Sequence, residues 1–244
     1  MPQDWFRRAV AEFVGAFTLV FAGMGSIMFG NAGGLTGVAL AHGLAIAVMV
    51  SAVGHISGGH FNPAITFGFL LTRRMDGLLA GIYAVSQLAA GAVAALLLNV
   101  IFPTPPNLDA GVPVVADRVS NGGAVLAEAI LTFFLVWVVF ATAADPRGTF
   151  KSIAGLAIGL TITLDILAGG PLTGAAMNPA RAFGPELVQN VWDHWWVYWL
   201  GPLAGGGIAA LAYDLLYLRP LEPAVVGPPE TGLEEPRPGE TAVS

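Results

Sequence analysis

The side chains in this sequence that could do chemistry are few, and they come in pairs. Asn62-Pro63-Ala64 and Asn178-Pro179-Ala180 are the same tripeptide, and each follows at the same interval a glutamate set in an apolar run, Glu12 or Glu128. An asparagine amide offers two N–H donors and one carbonyl acceptor. A carboxylate at membrane depth can accept hydrogen bonds from backbone N–H groups that lipid would leave unpaired, or it can relay protons. The sequence also lacks several chemistries. It holds no cysteine, so it has no disulfide framework, no Cys-ligated zinc and no thiol nucleophile. No nucleophile–base pair or metal-ligand cluster stands out, and His55 and His194 read as isolated loop or interface histidines. The chain is read as no enzyme, with no catalytic residue, no metal and no cofactor.

The elements that carry these residues belong in a bilayer. Of 244 residues, 55% are hydrophobic and 11% charged, and the mean hydropathy is +0.72. A soluble domain carries about 25% charged residues. Six stretches reach the ~20 residues a transmembrane helix needs, at about 6–30, 35–55, 77–101, 123–144, 151–169 and 195–218. The run after Arg7 and Arg8 is too long for a cleavable signal. An even number of spans puts both termini on one side, together with Arg7, Arg8, Arg73, Arg74, Arg147, Lys151, Arg219 and Arg237, and leaves Arg118 and Arg181 opposite. The positive-inside rule makes that side cytoplasmic, and the expected location is the plasma (inner) membrane. The net charge of −6 sits mostly in the last 25 residues, where Glu222, Glu230, Glu234, Glu235 and Glu240 face only Arg237. Residues 219–244 read as a disordered cytoplasmic tail, and the near-neutral body offers nucleic acid no basic patch.

The sequence also repeats itself. A shift of 116 lays Glu12 on Glu128, Phe17 on Phe133, Gly43 on Gly159, Gly58 on Gly174 and Asn62 on Asn178; a shift of 115 lays Tyr83 on Tyr198 and Gly91 on Gly206. The repeats run from about 5 to 101 and from about 122 to 218, each with three spans. Three is odd, so the second half enters the membrane inverted, an arrangement that places a site near the midplane at the repeat interface.

Asparagine is a good N-cap and proline suits the first helical position, so a helix should start at each tripeptide. From Asn62 to about Arg74 it reaches ~18 Å, too short to cross a ~30 Å core. Asn178 to about Asn190 does the same from the other face. Two re-entrant half-helices would meet at their positive ends, around non-helical backbone that is tolerated only where protein buries it or a water-filled cavity lies beside it. A water accepting hydrogen bonds from both asparagines could not easily relay a proton, and the dipoles would repel cations.

Ser57-Gly58-Gly59-His60-Phe61-Asn62-Pro63-Ala64 and Met177-Asn178-Pro179-Ala180-Arg181, with Glu12 and Glu128, resemble the aquaporin (major intrinsic protein) family over about residues 5 to 218. The resemblance implies an all-α membrane protein of aquaporin-like fold, with six transmembrane helices and two half-helices. It also implies a homotetramer with one pore per protomer, so that residues 1–218 form the channel domain. Counting from the two asparagines, it implies a selectivity filter of His42, Ile166, Ala175 and Arg181. That set resembles the tonoplast-intrinsic and aquaporin-eight-like branch, as does the run from Asp165 to Gly174. The function implied is a passive channel for water, with ammonia and hydrogen peroxide, that excludes protons and ions. A glycerol or small-polyol facilitator is the alternative, and a proton-coupled transporter using Glu12, Glu128 and Asp165 is a more distant one.

Single residues carry further expectations. Arg181, a cation near mid-membrane, should face water and be held by backbone carbonyls. Glu12 and Glu128 are expected to support the re-entrant loops. His60 belongs either to a vestibule or inside its loop. Asp165 should point away from the pore, and Glu186 stands where the family usually has alanine. Trp192, Trp195, Trp196, Tyr198 and Trp199 read as an interfacial aromatic belt.

Overall fold

A computed structural model describes residues 3–28, 33–102, 111–147 and 153–221. Lys151 and residues 222–244 of the expected tail lie outside these.

The described residues form eight α-helices: α1 (Trp5–Met28), α2 (Gly34–Ser57), α3 (Pro63–Leu71), α4 (Gly77–Ile101), α5 (Asn121–Val139), α6 (Ala154–Thr173), α7 (Pro179–Gln189) and α8 (Val197–Tyr213). A π-helical turn extends α5 over Phe140–Ala144 and another extends α8 over Asp214–Leu218. Six of the helices are long and apolar enough to cross a membrane. The two that are not, α3 and α7, have nine and eleven residues, or about 14 and 16 Å at the ~1.5 Å rise of an α-helix. They are the half-helices that the proline positions and the length arithmetic required.

Polar side chains start several of these helices. Asp76 caps α4 by accepting from the N–H groups of Leu78 and Leu79, and Ser120 caps α5 through Gly123. Glycines stop the two helices that lead into the re-entrant loops. Gly58 and Gly174 take φ of 95° and 81°, a left-handed conformation that glycine adopts without steric cost.

The inverted repeat is visible in the packing. In one half α1 packs on α2 and α4; in the other α5 packs on α6 and α8, and α2 and α6 join the halves. At that junction a methyl on Gly43 would overlap Thr163 and the Gly159 carbonyl, and one on Gly159 would overlap the Gly43 carbonyl. Membrane helices gain association energy from this kind of close backbone approach, because lipid is as apolar as their side chains. Gly91 and Gly184 play the same part where α4 meets α7.

Two expectations need correcting. The fifth span, expected to end at about residue 169, runs on through Pro171 to Thr173. In lipid an unpaired backbone group costs several kcal/mol, which outweighs the local preference to break. Tyr198 is fully buried and is no part of an aromatic belt, while Trp192, Trp195 and Trp196 are exposed.

Candidate functional site

Two loops are built alike, one from each half. In the first, Glu12 of α1 reaches over the loop that follows α2. Its Oε1 accepts from the Ser57 hydroxyl (2.6 Å) and the His60 N–H (3.0 Å); its Oε2 accepts from the Phe61 N–H (2.6 Å) and the Gln87 amide (2.7 Å). In the second, Glu128 of α5 accepts from the Thr173 hydroxyl (2.6 Å), the Ala176 N–H (2.9 Å) and the Met177 N–H (2.7 Å). Tyr83 and Tyr198 each donate to the last carbonyl of the helix that enters the loop, that of Ser57 in α2 at 2.7 Å and that of Thr173 in α6 at 2.9 Å. Both glutamates are wholly buried, and the N–H groups they take would otherwise be unpaired at membrane depth.

These clamps hold a strained backbone. Phe61 and Met177, the residues before the two asparagines, have φ of 51° and 52°, a left-handed conformation that costs a non-glycine residue about 1 kcal/mol or more. The strain turns their carbonyls toward the opposite loop. Asn62 Nδ2 donates to the Met177 carbonyl and Asn178 Nδ2 to the Phe61 carbonyl, both at 2.9 Å. Asn62 Oδ1 accepts from the Ala64 N–H, and Asn178 Oδ1 from those of Ala180 and Arg181. Each asparagine thus caps its own half-helix and ties it to the other, with Pro63 and Pro179 opening the helices. One amide hydrogen per asparagine remains after these bonds.

Beside this junction lies a narrow cavity. Leu19, Ile46, Ile65, Leu135, Ile158 and Ile162 make its walls apolar; Asn62, Asn178, His42, His60 and Arg181 are its polar lining, joined by Ile166 and Ala175. A second cavity, bounded by Val112, Pro113 and Gly174, shares His42, Ile166 and Arg181 with the first. Those three side chains therefore stand between the two spaces.

Arg181 is buried, and its Nη1 donates to the Gly111 carbonyl at 2.9 Å. His42 bonds the Val38 carbonyl through Nδ1 at 2.8 Å; a carbonyl can only accept, so Nδ1 carries the hydrogen. The His42 ring rests on Gly23 of α1, where a methyl group would overlap it. His60 lines the cavity, stacks on Phe69 and pairs with the Thr66 hydroxyl at 3.1 Å. Asp165 and Glu186 are fully buried outside the cavity wall. His55 lies in the last turn of α2, beside a cleft it shares with Thr142 and Gly155.

Sequence reasoning missed some of the architecture. The hydroxyls of Ser57 and Thr173 are related by the same 116-residue shift as the glutamates, a signal that could have found them. Tyr83 and Tyr198 aligned as well, but nothing in that alignment indicated their partners. Gln87 has no counterpart in the second half, and the Gly111 carbonyl left no trace in the sequence.

Known proteins agree with this architecture. The family described as Major intrinsic protein matches residues 2–213. Aquaporin TIP4-4 of Zea mays is 47% identical over 223 residues, covering 87% of each chain. Probable aquaporin TIP3-2 of Arabidopsis thaliana is 44% identical over 248 aligned positions, covering 96% of this chain and 90% of its own. The X-ray structure of the aquaglyceroporin from Plasmodium falciparum superposes with a TM-score of 0.80 at 23% identity, over 90% of this chain and all of the other, and so shares the fold. With the family match spanning nearly all of the described residues, this chain belongs to the major intrinsic protein, or aquaporin, family: a multi-pass membrane channel for small neutral solutes, and not an enzyme.

Proposed function

We propose that the solute is water, with ammonia and hydrogen peroxide as further permeants, and that protons and ions are excluded. The observation that carries this reading is the junction of the half-helices, where Asn62 and Asn178 line one narrow cavity with mainly apolar walls. Each has one amide hydrogen left for a passing oxygen. A water accepting both bonds turns its own hydrogens outward along the passage and cannot hand a proton across. Each helix N-terminus adds roughly half a positive charge, and Arg181 adds a whole one, so cations meet a barrier while neutral molecules do not.

His42, Ile166, Ala175 and Arg181 act as the selectivity filter in this reading. It is supported by the place of His42, Ile166 and Arg181 between the two cavities. Ile166 and Ala175 leave room for solutes slightly larger than water, and His42 adds a ring able to exchange hydrogen bonds. Glu12 and Glu128 support the loops rather than carry protons, a role favoured by their use of several loop donors each. The termini lie on the arginine-rich, cytoplasmic side. The expected plasma membrane gains no support from the relatives, whose TIP designation is that of the tonoplast-intrinsic branch.

The protomers assemble as a homotetramer. Support comes from matched apolar stripes that face outward, Leu40, Leu44 and Val48 on α2 and Leu156, Leu160 and Leu164 on α6. Light scattering of the detergent-solubilised protein should give the mass of four chains; a monomer in several mild detergents would refute the assembly.

Proteoliposome shrinkage and swelling tests the solutes. Water, ammonia and peroxide should cross faster than through protein-free vesicles, and glycerol should lag well behind water. The double substitution His42→Phe with Ile166→His should cut ammonia and peroxide flux while sparing water. Glycerol flux equal to water flux would make the protein a polyol facilitator instead.

A further inference from the structure

The two half-helices are supported alike except in one layer. In the first half Gln87, Thr66 and His60 form a buried polar chain that starts at the Glu12 carboxylate. The repeat lays Pro202, Ala182 and Ala176 on those three positions, and none of these side chains can make a hydrogen bond. The second half-helix forms nonetheless, capped by Asn178 and with its loop clamped by Glu128. A half-helix therefore does not need the polar chain. What the chain orders in the first half is the ring of His60.

Each link has one direction. A carboxylate only accepts, so the Gln87 atom 2.7 Å from Glu12 Oε2 is the amide nitrogen, whose second hydrogen goes to Thr66 Oγ1 at 3.1 Å. Thr66 thus accepts from Gln87, and its own hydrogen has one acceptor among the described residues, His60 Nδ1 at 3.1 Å. A ring nitrogen that accepts carries no hydrogen, so the neutral imidazole carries it on Nε2. The ring is held against turning by Phe69, stacked on it at 4.5 Å between centroids, and by Tyr83, edge-on at 5.4 Å. Gly59 and His60 line the asparagine cavity, and Gly58 lines the neighbouring cleft that holds His55. A methyl group on Gly58 would stand 3.4 Å from His60 Nε2, so this edge of the ring lies where the cavity approaches that cleft.

We propose that Thr66 and Gln87 are positioning residues for the channel: they fix His60 as its Nε2–H tautomer and so set a hydrogen-bond donor in the passage beside Asn62. Solutes then meet donors at His60, Asn62 and Asn178. A lone pair of water or ammonia accepts from these, whereas ammonium has no lone pair to offer. The inference deepens the reading of this cavity as the solute passage and rests on it.

Nitrogen NMR of the full-length protein in lipid vesicles, isotope-labelled at histidine, provides the test, with His60 assigned by the signals lost in His60→Asn. Wild type and Thr66→Ser should carry the His60 hydrogen on Nε2 alone. Thr66→Val removes the hydroxyl, and the hydrogen should then be found on both nitrogens. Water permeability of Thr66→Val should fall about two- to tenfold, the worth of one hydrogen bond, while Thr66→Ser stays close to wild type. Should Thr66→Val not fold, Gln87→Leu asks the same question: the second half carries Pro202 at that position, and a Thr66 lone pair freed from Gln87 should again populate both tautomers. The proposal is overturned if wild-type His60 carries its hydrogen on Nδ1, if the variant keeps the wild-type tautomer, or if Thr66→Val conducts water as fast as wild type. A wild type that passes no water counts against the solute reading instead, and the tautomers still decide this one.

Discussion

Gly23 and His42 form a pair beside the two cavities that His42 lines. The ring has one backbone bond, to Val38, and otherwise leans on the space a side chain at position 23 would fill. Gly23→Ala should therefore push the ring toward Arg181 and lower water flux, with the fold intact by circular dichroism. Unchanged flux would show that the ring does not border the path. Arg181 makes a sharper case. A cation buried at this depth costs roughly 2.5–3.5 kcal/mol to insert, and here it is held by the Gly111 carbonyl and the Asn178 side chain's contact with its N–H. Arg181→Ala should keep water flux but admit glycerol and protons, as read by a pH-sensitive dye trapped in vesicles. Selectivity identical to wild type would remove Arg181 from the filter. Arg181 was conspicuous in the sequence because a lone cation among apolar spans needs a reason. Gly23 was not, since nothing in the sequence tells a glycine under a ring from any other small residue in a membrane helix.

At the scale of elements, the loops depend on the glutamates more than on their own sequence. Glu128→Leu would orphan two backbone N–H groups and a hydroxyl, each costing about 1–3 kcal/mol, which is enough to abolish folded protein. Glu128→Gln keeps one carbonyl acceptor and should survive with reduced Tm. Equal stability of both variants and wild type, by thermal unfolding, would contradict the clamp. A second lock sits on the arginine-rich face, where Asp145, 3% exposed, takes two hydrogen bonds from the Arg147 guanidinium, one from the Arg147 N–H and one from the Tyr213 hydroxyl. The Arg147 guanidinium is the main cause holding the Asp145 carboxyl below its ordinary value of 3.8. A depressed carboxylate pKa stabilises the fold above the unfolded value, and that stability is lost as pH falls through the folded one. Asp145→Asn should thus lower Tm by a few degrees throughout pH 5 to 8, and the gap to wild type should close only below about pH 4. A gap that closes nearer neutrality would contradict this assignment. The half-helices were legible because two short pieces with proline at the start admit few alternatives. The end of α6 was not, because the apolar run gives out near Gly169 while the helix continues to Thr173, as the lipid's penalty on unpaired backbone requires.

For the whole molecule, the inverted repeat was the most informative feature of the sequence. It fixed the parity of the spans, and with it the meeting of two helix ends from opposite faces. Burial of the individual aromatic residues was not legible. Tyr198 sits in a run with three exposed tryptophans, yet its hydroxyl is spent on the Thr173 carbonyl inside the protein. Composition identifies such a run and leaves its helical phase open. The relatives and the fold make the chain a channel; that water passes and protons do not is the central claim. Stopped-flow shrinkage of proteoliposomes, run in parallel with proton uptake under an imposed potential, addresses it most directly. The account predicts water permeability well above that of protein-free vesicles with proton uptake no faster than theirs. Proton uptake that rises with protein content, or water permeability that does not, would contradict it.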